Sequence, residues 1–450
     1  MSLVIKDGFI VTMDKERRII PEGTIVVEGN KIVDIGPTKE MEEKYSFDKI
    51  IDAKKKLVLP GFICGHSHMA YTLGHNMPVD MRQFKSFIEM LTKWAWPAIE
   101  DPTTKDDVYY AGRFVAAKML KSGTTTTHEL VEGPYHVNGI LDGAAKAVEE
   151  SGMRAIIAFE TTERVSMENA KEGIKENLRF IQKWNNVPDT RIRGRFGVHT
   201  VFTASPETLK EVRELATKHK AGIHIHVAES TYEIDYIKEK YGKTPVEHMR
   251  DLGFLGPDVV TVHDIHLTDN DLKIYKEYDT KVIHTPMSNM LGAAGVAKIP
   301  QMLDLGITVG LGHDCFFTLD MTEYMRAAFL LHKIANLNPL LIAPFQVLEM
   351  VTINGARAIG LENEIGSIEV GKKADIIVVN ERFPTPLVPD YMTIASAIVN
   401  DMNGADVETV IVDGKVVVEN KQLLTIDEND AYEKAKERTS MLWEKNGIKF

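Results

Sequence analysis

His66 and His68, separated by one serine, carry the strongest chemical signal in the sequence. Residues i and i+2 of a strand face the same side, so both imidazoles can reach one ion. Further along, short apolar runs end in His128, His199, His226, His263, His284 and finally Asp314. One such histidine would ordinarily be a satisfied core or loop residue; so many in equivalent places are not explained that way. Imidazole is the commonest metal ligand and a carboxylate supplies an anionic oxygen. His66, His68, His226 and Asp314 therefore make a chemically sensible set for one divalent cation. His224 shares the His-x-His spacing with His226, but three residues after His226 comes a carboxylate, Glu229. His226 is assigned to the metal, and His224 to a supporting or structural place. Glu229 has the chemistry of a proton shuttle beside an activated water, and His263 would orient that water or stabilise developing charge. Asp314 can act both as ligand and as acceptor of the water's proton.

Those residues need a scaffold that brings distant strand ends together. From about residue 58 to 360, short β-prone runs alternate with segments of helical period, which points to βα units around a parallel sheet. The expected strands are 61–65, 124–127, 154–159, 195–198, 222–225, 259–262, 281–283 and 308–311, the number a closed barrel needs. In such barrels the reactive groups lie at the carboxyl ends of the strands, where the histidines and Asp314 fall. Residues 206–219 illustrate the helices: Pro206 opens the segment, and Leu209, Val212, Leu215 and Ala216 share one face. Residues 1–57 read instead as short alternating strands with turn dipeptides at Asp7-Gly8 and Gly29-Asn30. The same grammar returns at Asp413-Gly414, so both termini are expected to share a small β domain. The resulting division is 1–57 plus 361–425 for the β domain, 58–360 for the barrel and 426–450 for a helix packed on it.

Composition narrows the function. A net charge of -12 and a pI near 5.7 exclude a general nucleic-acid binder, which needs a basic face for phosphates. No apolar stretch of membrane-spanning length occurs, and the amino-terminal residues lack a signal-peptide pattern. Two cysteines, Cys64 and Cys315, exclude a disulfide framework and favour a cytoplasmic setting.

The chain resembles the amidohydrolase superfamily, in its branch of aminohydrolases and chlorohydrolases acting on nitrogen heterocycles. The resemblance is carried by Leu59-Pro60-Gly61-Phe62 leading to His66-Ser67-His68, by Ser122-Gly123-Thr124-Thr125, and by His226 with Glu229. Pro245-Val246-Glu247-His248, His263, Ser288-Asn289, Gly310-Leu311-Gly312 before Asp314, and the stretches 354–358 and 366–375 complete it. It implies a distorted (β/α)8 TIM barrel flanked by a β-sandwich from both termini. It also implies one metal, usually zinc but iron or another divalent ion in some members, held by His66, His68, His226 and Asp314. Hydroxide formed at the cation would attack the ring carbon while Glu229 protonates the ring nitrogen and ammonia leaves. Two-metal relatives place a carboxylated lysine where this chain has His199, so a mononuclear site is expected. His199, Glu160, Trp94 and His128 are the residues expected to face a purine, pyrimidine or pterin substrate.

Within the branch, Phe159-Glu160-Thr161-Thr162-Glu163-Arg164, Tyr241-Gly242-Lys243 and Pro384-Thr385-Pro386-Leu387 are similar to aminohydrolases found with bacterial selenium-dependent purine-catabolism enzymes. Departures stand at His313, Cys315 and Thr285, where relatives usually have threonine, glycine and asparagine. Phe84-Lys85-Ser86-Phe87 lacks an acidic residue that deaminases of methylthioadenosine and adenosylhomocysteine carry there. The competing readings are release of chloride or alkylamine from a triazine-like ring, and a non-catalytic barrel. No nucleic-acid or membrane partner is expected; superfamily members commonly form homo-oligomers.

Overall fold

The computed structural model describes residues 2–46, 49–315, 318–382 and 384–449. Eight successive parallel strands wind into a barrel: Phe62–Ser67, Thr124–Val131, Arg154–Thr161, Phe196–Val198, Ile223–Val227, Val259–His263, Lys281–His284 and Val309–Leu311. Most are buried on both faces, which is why they read as unbroken apolar or threonine runs rather than as alternating ones. The fourth is preceded by Ile192–Gly194, which pairs with the same third strand; Arg195 interrupts the ladder between the two pieces. The last strand closes on the first through the backbone N–H groups of His313 and Asp314, which donate to the His66 carbonyl at 2.9 and 3.1 Å. Gly312 permits this approach, since a Cβ there would lie 2.9 Å from His66 backbone atoms.

The intervening helices follow their sequence signals. In Pro206–His219, Ser205 caps the Thr208 N–H, Pro206 needs no hydrogen-bond acceptor at that position, and Leu209, Val212 and Ala216 are buried. Glu428–Lys445 lies along Lys105–Lys121, joined by Arg438 to Asp107 at 2.7 Å and Arg113 to Asp430 at 2.6 Å. Among the described residues no helix is long and apolar enough to cross a membrane.

Both termini build a second, mixed sheet of nine strands. Its amino-terminal half joins its carboxyl-terminal half where Lys56–Pro60 pairs antiparallel with Ile376–Asn380. That strand straddles the boundary expected after residue 57. Ile5, Ile10, Ile25, Val58, Ile376 and Ile411 form the sheet's own core. Asp413 and Gly414 have φ values of 51° and 74°, as a two-residue turn with both central residues left-handed requires. Asp7-Gly8 does not turn the chain. Ser2–Val11 is one strand, with register shifts between Ile5 and Gly8 and between Gly8 and Ile10, and Asp7 at φ 61°. The dipeptide is a bulge, because flanking residues on both sides still pair with Ile19–Glu28.

Arg154, on the third barrel strand, ties the two sheets together. Its guanidinium donates to Asp375 at 2.8 and 3.0 Å and to Asp413 at 3.2 Å, with Arg154 and Asp375 both buried. Arg154→Met would leave a buried carboxylate without its cation. The expected cost is about 3–5 kcal/mol of stability, read from denaturant unfolding; a loss under about 1 kcal/mol would mean that the junction does not depend on the pair.

Candidate metal centre and active site

The barrel's carboxyl end gathers His66, His68, His226 and Asp314, with one nitrogen or oxygen from each lying within 4.8 Å of all the others. His68 Nε2 is 3.2 Å from His226 Nε2, His226 Nε2 is 3.3 Å from His66 Nε2, and Asp314 Oδ1 is 3.3 Å from His66 Nε2. The opposite ring nitrogens are each occupied. His226 Nδ1 donates to the His199 carbonyl at 2.9 Å, His68 Nδ1 pairs with Glu132, and His66 Nδ1 lies 2.9 Å from His224 Nε2. Assigned from these contacts, the protons sit on Nδ1 and the lone pairs of Nε2 converge. Three lone pairs and a carboxylate facing one another cannot satisfy each other, whereas a divalent cation satisfies all four. The donor set fits such an ion.

Electrostatics agree for His66, His226 and Asp314. Burial, reinforced by the charge of His68, pushes His66 down to about 3, and burial takes His226 well below its ordinary value. Both are therefore neutral, as ligands must be. Burial alone would raise Asp314, but His66, His263 and His68 hold it far below the usual carboxylate range. His68 differs: burial opposes its charge, yet Glu132 and Asp314 raise it well above the ordinary value, so a cation bound there would displace its Nε2 proton. A carboxylate behind a ligating imidazole fixes its orientation and strengthens it as a donor.

Glu229, His263 and Asp314 form a second, adjoining cluster. His263 Nε2 stands 3.5 Å from Glu229 Oε1 and 3.9 Å from Asp314 Oδ2. Its Nδ1 is held by Asn289 Oδ1 at 2.9 Å and Thr285 Oγ1 at 3.0 Å, while Ser288 donates to Asp314 Oδ2. Burial raises the pKa of Glu229; it opposes charge on His263, which Glu229 and Asp314 nevertheless raise. His263, Asp264, Asp314 and Ala228 all have positive φ. Left-handed backbone costs on the order of 1 kcal/mol per residue, so these strand ends are bent to aim side chains at the centre.

A cavity of about 460 Å³ opens above both clusters. His199, Glu160 and Trp94 line it, as do Glu100, Glu229 and Ser288. His199 is pushed down to about 3 by burial and by Arg164. His128 does not line the cavity, which corrects the expectation that it faces substrate. The second strand runs on to Val131, leaving His128 in mid-strand inside the barrel. There it stacks on His224 at 3.7 Å and its Nδ1 contacts the Gly65 carbonyl at 3.1 Å. His284 also lies away from the cavity, against His332 with 3.1 Å between Nε2 atoms.

Reading strand ends alone missed Glu132, Glu100 and the residues that hold His263 and Asp314. Glu132 was findable: it follows the second strand, and extending that strand to Val131 brings it to the barrel's open end. Ser288 and Asn289 belong to a motif already visible in the sequence, but nothing local shows which ligand they contact. Glu100 sits at the end of a wide, π-wound helix, Leu91–Glu100, where the Asp101 N–H donates to Trp96. Tyr71 donates to Glu100, and Arg164 holds it at 2.9 Å.

An eight-stranded barrel whose open end holds three imidazoles and an aspartate around one point, beside a glutamate and a further histidine, is the architecture of a metal-assisted hydrolase. The chain belongs to the Amidohydrolase family, whose profile it matches over residues 57–417, and it is an enzyme of that family. It is 39% identical to a 5'-deoxyadenosine deaminase of Methanosarcina acetivorans, the match covering 97% of each chain. A 5-methylthioadenosine/S-adenosylhomocysteine deaminase of Syntrophomonas wolfei is 36% identical, with 98% of this chain and 99% of that one covered. Among solved structures, a zinc-bound adenosine deaminase from Xanthomonas campestris superposes with a TM-score of 0.89 at 23% identity, covering 98% of both chains. The zinc complex of an atrazine chlorohydrolase from Arthrobacter aurescens gives 0.82 at 21% identity, covering 97% of this chain and 100% of that one.

Proposed function

We propose that this enzyme removes an amino group as ammonia from a nitrogen heterocycle, with 6-aminopurine nucleosides as the substrate class. The observation that carries the reading is the contact of two clusters through Asp314: a four-donor cation set on one side, and Glu229 with His263 on the other. The full-length similarity to deaminases of 5'-deoxyadenosine and methylthioadenosine supports the choice of ring.

His66, His68, His226 and Asp314 would hold a divalent ion, zinc by analogy with the solved neighbours. Such an ion supplies Lewis acidity that brings the ionisation of water near neutral pH. The chain's own residues then move protons. Asp314 Oδ2, anchored by Ser288, takes the proton of the attacking water. Glu229, whose hold on a proton burial strengthens, gives that proton to the ring nitrogen next to the amino-bearing carbon. His263, fixed through Nδ1, presents Nε2 to the incoming oxygen and stabilises its charge. As the carbon–nitrogen bond breaks, Asp314 passes its proton to the amine, which leaves as ammonia, and the hydroxyl gives its proton back to Glu229 as the carbon keeps the oxygen as a carbonyl. The buried walls exclude bulk water from this exchange.

Metal-loaded enzyme should release ammonia from 5'-deoxyadenosine or methylthioadenosine with kcat/KM of about 10⁴ M⁻¹s⁻¹ or above. Aminopyrimidines and pterins complete the panel. Release of chloride or alkylamine from triazines, with no ammonia from any aminoheterocycle, would replace this reading with the alternative leaving group.

A further inference from the structure

Glu160 is the last residue but one of the third barrel strand, is only 4% exposed, and lines the cavity. Its neighbours among the carboxylates have partners: Glu100 has Tyr71 and Arg164, and Glu132 has His68. Glu160 does not. Among the described residues no side chain donates a hydrogen bond to its carboxylate, and His199 Nε2 stands 4.0 Å away. A buried carboxylate left without a donor is costly, and its natural complement is a donor brought by the ligand. The wall as a whole has the same bias. Glu100, Glu160, Glu229 and Asp314 all line it, and no lysine or arginine appears among the described lining residues. Apolar side chains such as Met77, Phe87, Leu91, Trp94 and Leu291 supply much of the remainder.

Resting on the deaminase reading, we infer that the cavity selects its heterocycle by charge: Glu160 receives N–H or O–H donors of a neutral or cationic substrate, and carboxylate- or phosphate-bearing analogues are rejected. An anionic substituent on the Glu160 side would face carboxylates across a low-dielectric space, with no lysine or arginine among the described lining residues to receive it. A neutral or ammonium-bearing substituent meets the acceptor that the protein leaves open.

The test compares three adenosines that differ at the 5' position: 5'-deoxy, 5'-amino-5'-deoxy and 5'-carboxylate. In metal-loaded enzyme, kcat/KM should be lowest for the carboxylate, by about 100-fold or more against the neutral compound, and highest for the ammonium. Glu160→Gln keeps the side-chain size and should shrink the ammonium-to-carboxylate ratio by about tenfold or more. The same ranking should appear in calorimetric binding to metal-loaded Glu229→Gln, whether or not turnover occurs. Equal handling of the three compounds in both assays, or a ratio unchanged by Glu160→Gln, overturns the inference. Loss of a second equivalent of bound metal in Glu160→Gln would also overturn it, by making Glu160 a metal ligand. Binding in the expected order without ammonia release would keep charge selection and remove the deaminase reading instead.

Discussion

Glu229→Gln is expected to lower kcat for ammonia release by about 10²- to 10⁴-fold, the usual worth of a positioned proton carrier. The amide matches the carboxyl in size but cannot give up a proton to the ring and recover it. Because Glu229 lies beside His263 rather than within the four-donor set, metal content should stay near that of the unsubstituted enzyme. Its side chain is partly exposed to the cavity and, among the described residues, accepts no side-chain hydrogen bond from a neighbouring element, so the unfolding midpoint should also hold. Steady-state kinetics, metal analysis and thermal unfolding on one preparation separate these effects. Unchanged kcat would remove Glu229 from the proton path. Loss of metal together with activity would make it part of the cation site.

Stripping the cation by chelation should abolish turnover, and adding back zinc or another divalent ion should restore it. The four donors sit on the first, fifth and eighth strands or their ends, so the ion would join segments far apart in sequence. A ligand that binds only the folded chain stabilises it by about 4 kcal/mol when present at about 1,000 times its Kd. The stripped protein should therefore unfold at lower temperature, and restoring the ion should raise the midpoint as well as the rate. His66→Ala and Asp314→Ala should reproduce both losses, with added metal failing to correct them. Full activity in a chelator-treated sample free of measurable metal would overturn the cation site.

Much of the architecture was legible because it is local. Strand positions followed from runs of apolar and β-branched residues, and the helix at Pro206–His219 from its cap, proline and apolar spacing. The exceptions have physical causes. Asp7-Gly8 carries a turn's residue types, yet the pairing on either side continues, and a bulge absorbs the irregularity. His128 resembled a strand end because the strand beyond it, Glu129-Leu130-Val131, mixes a carboxylate into an apolar run. Glu129 is tolerated there because Ser67 and the Met69 N–H donate to it at 2.5 and 2.7 Å, contacts that exist only once the first two strands are side by side.

The sequence by itself determined the order of the barrel strands and the chemical kinds of ligand at their ends, since periodicity and residue type act over a few neighbours. Only the tertiary structure decided which histidines do what. His66, His68 and His226 converge on one point, His128 and His224 stack behind them, and His284 turns to His332. Apart from His332, on the helix Met321–Ala335, these residues lie on barrel strands or at their ends, so type and spacing could not sort them. Barrel closure could, because the approach of the last strand to the first sets which ring nitrogens face Asp314 and which face Glu132, His199 and His224. The same closure set Glu229 3.5 Å from His263 and left the Glu160 carboxylate with no side-chain hydrogen-bond donor among the described residues, a difference made by packing across the barrel rather than by either residue's neighbours in the chain.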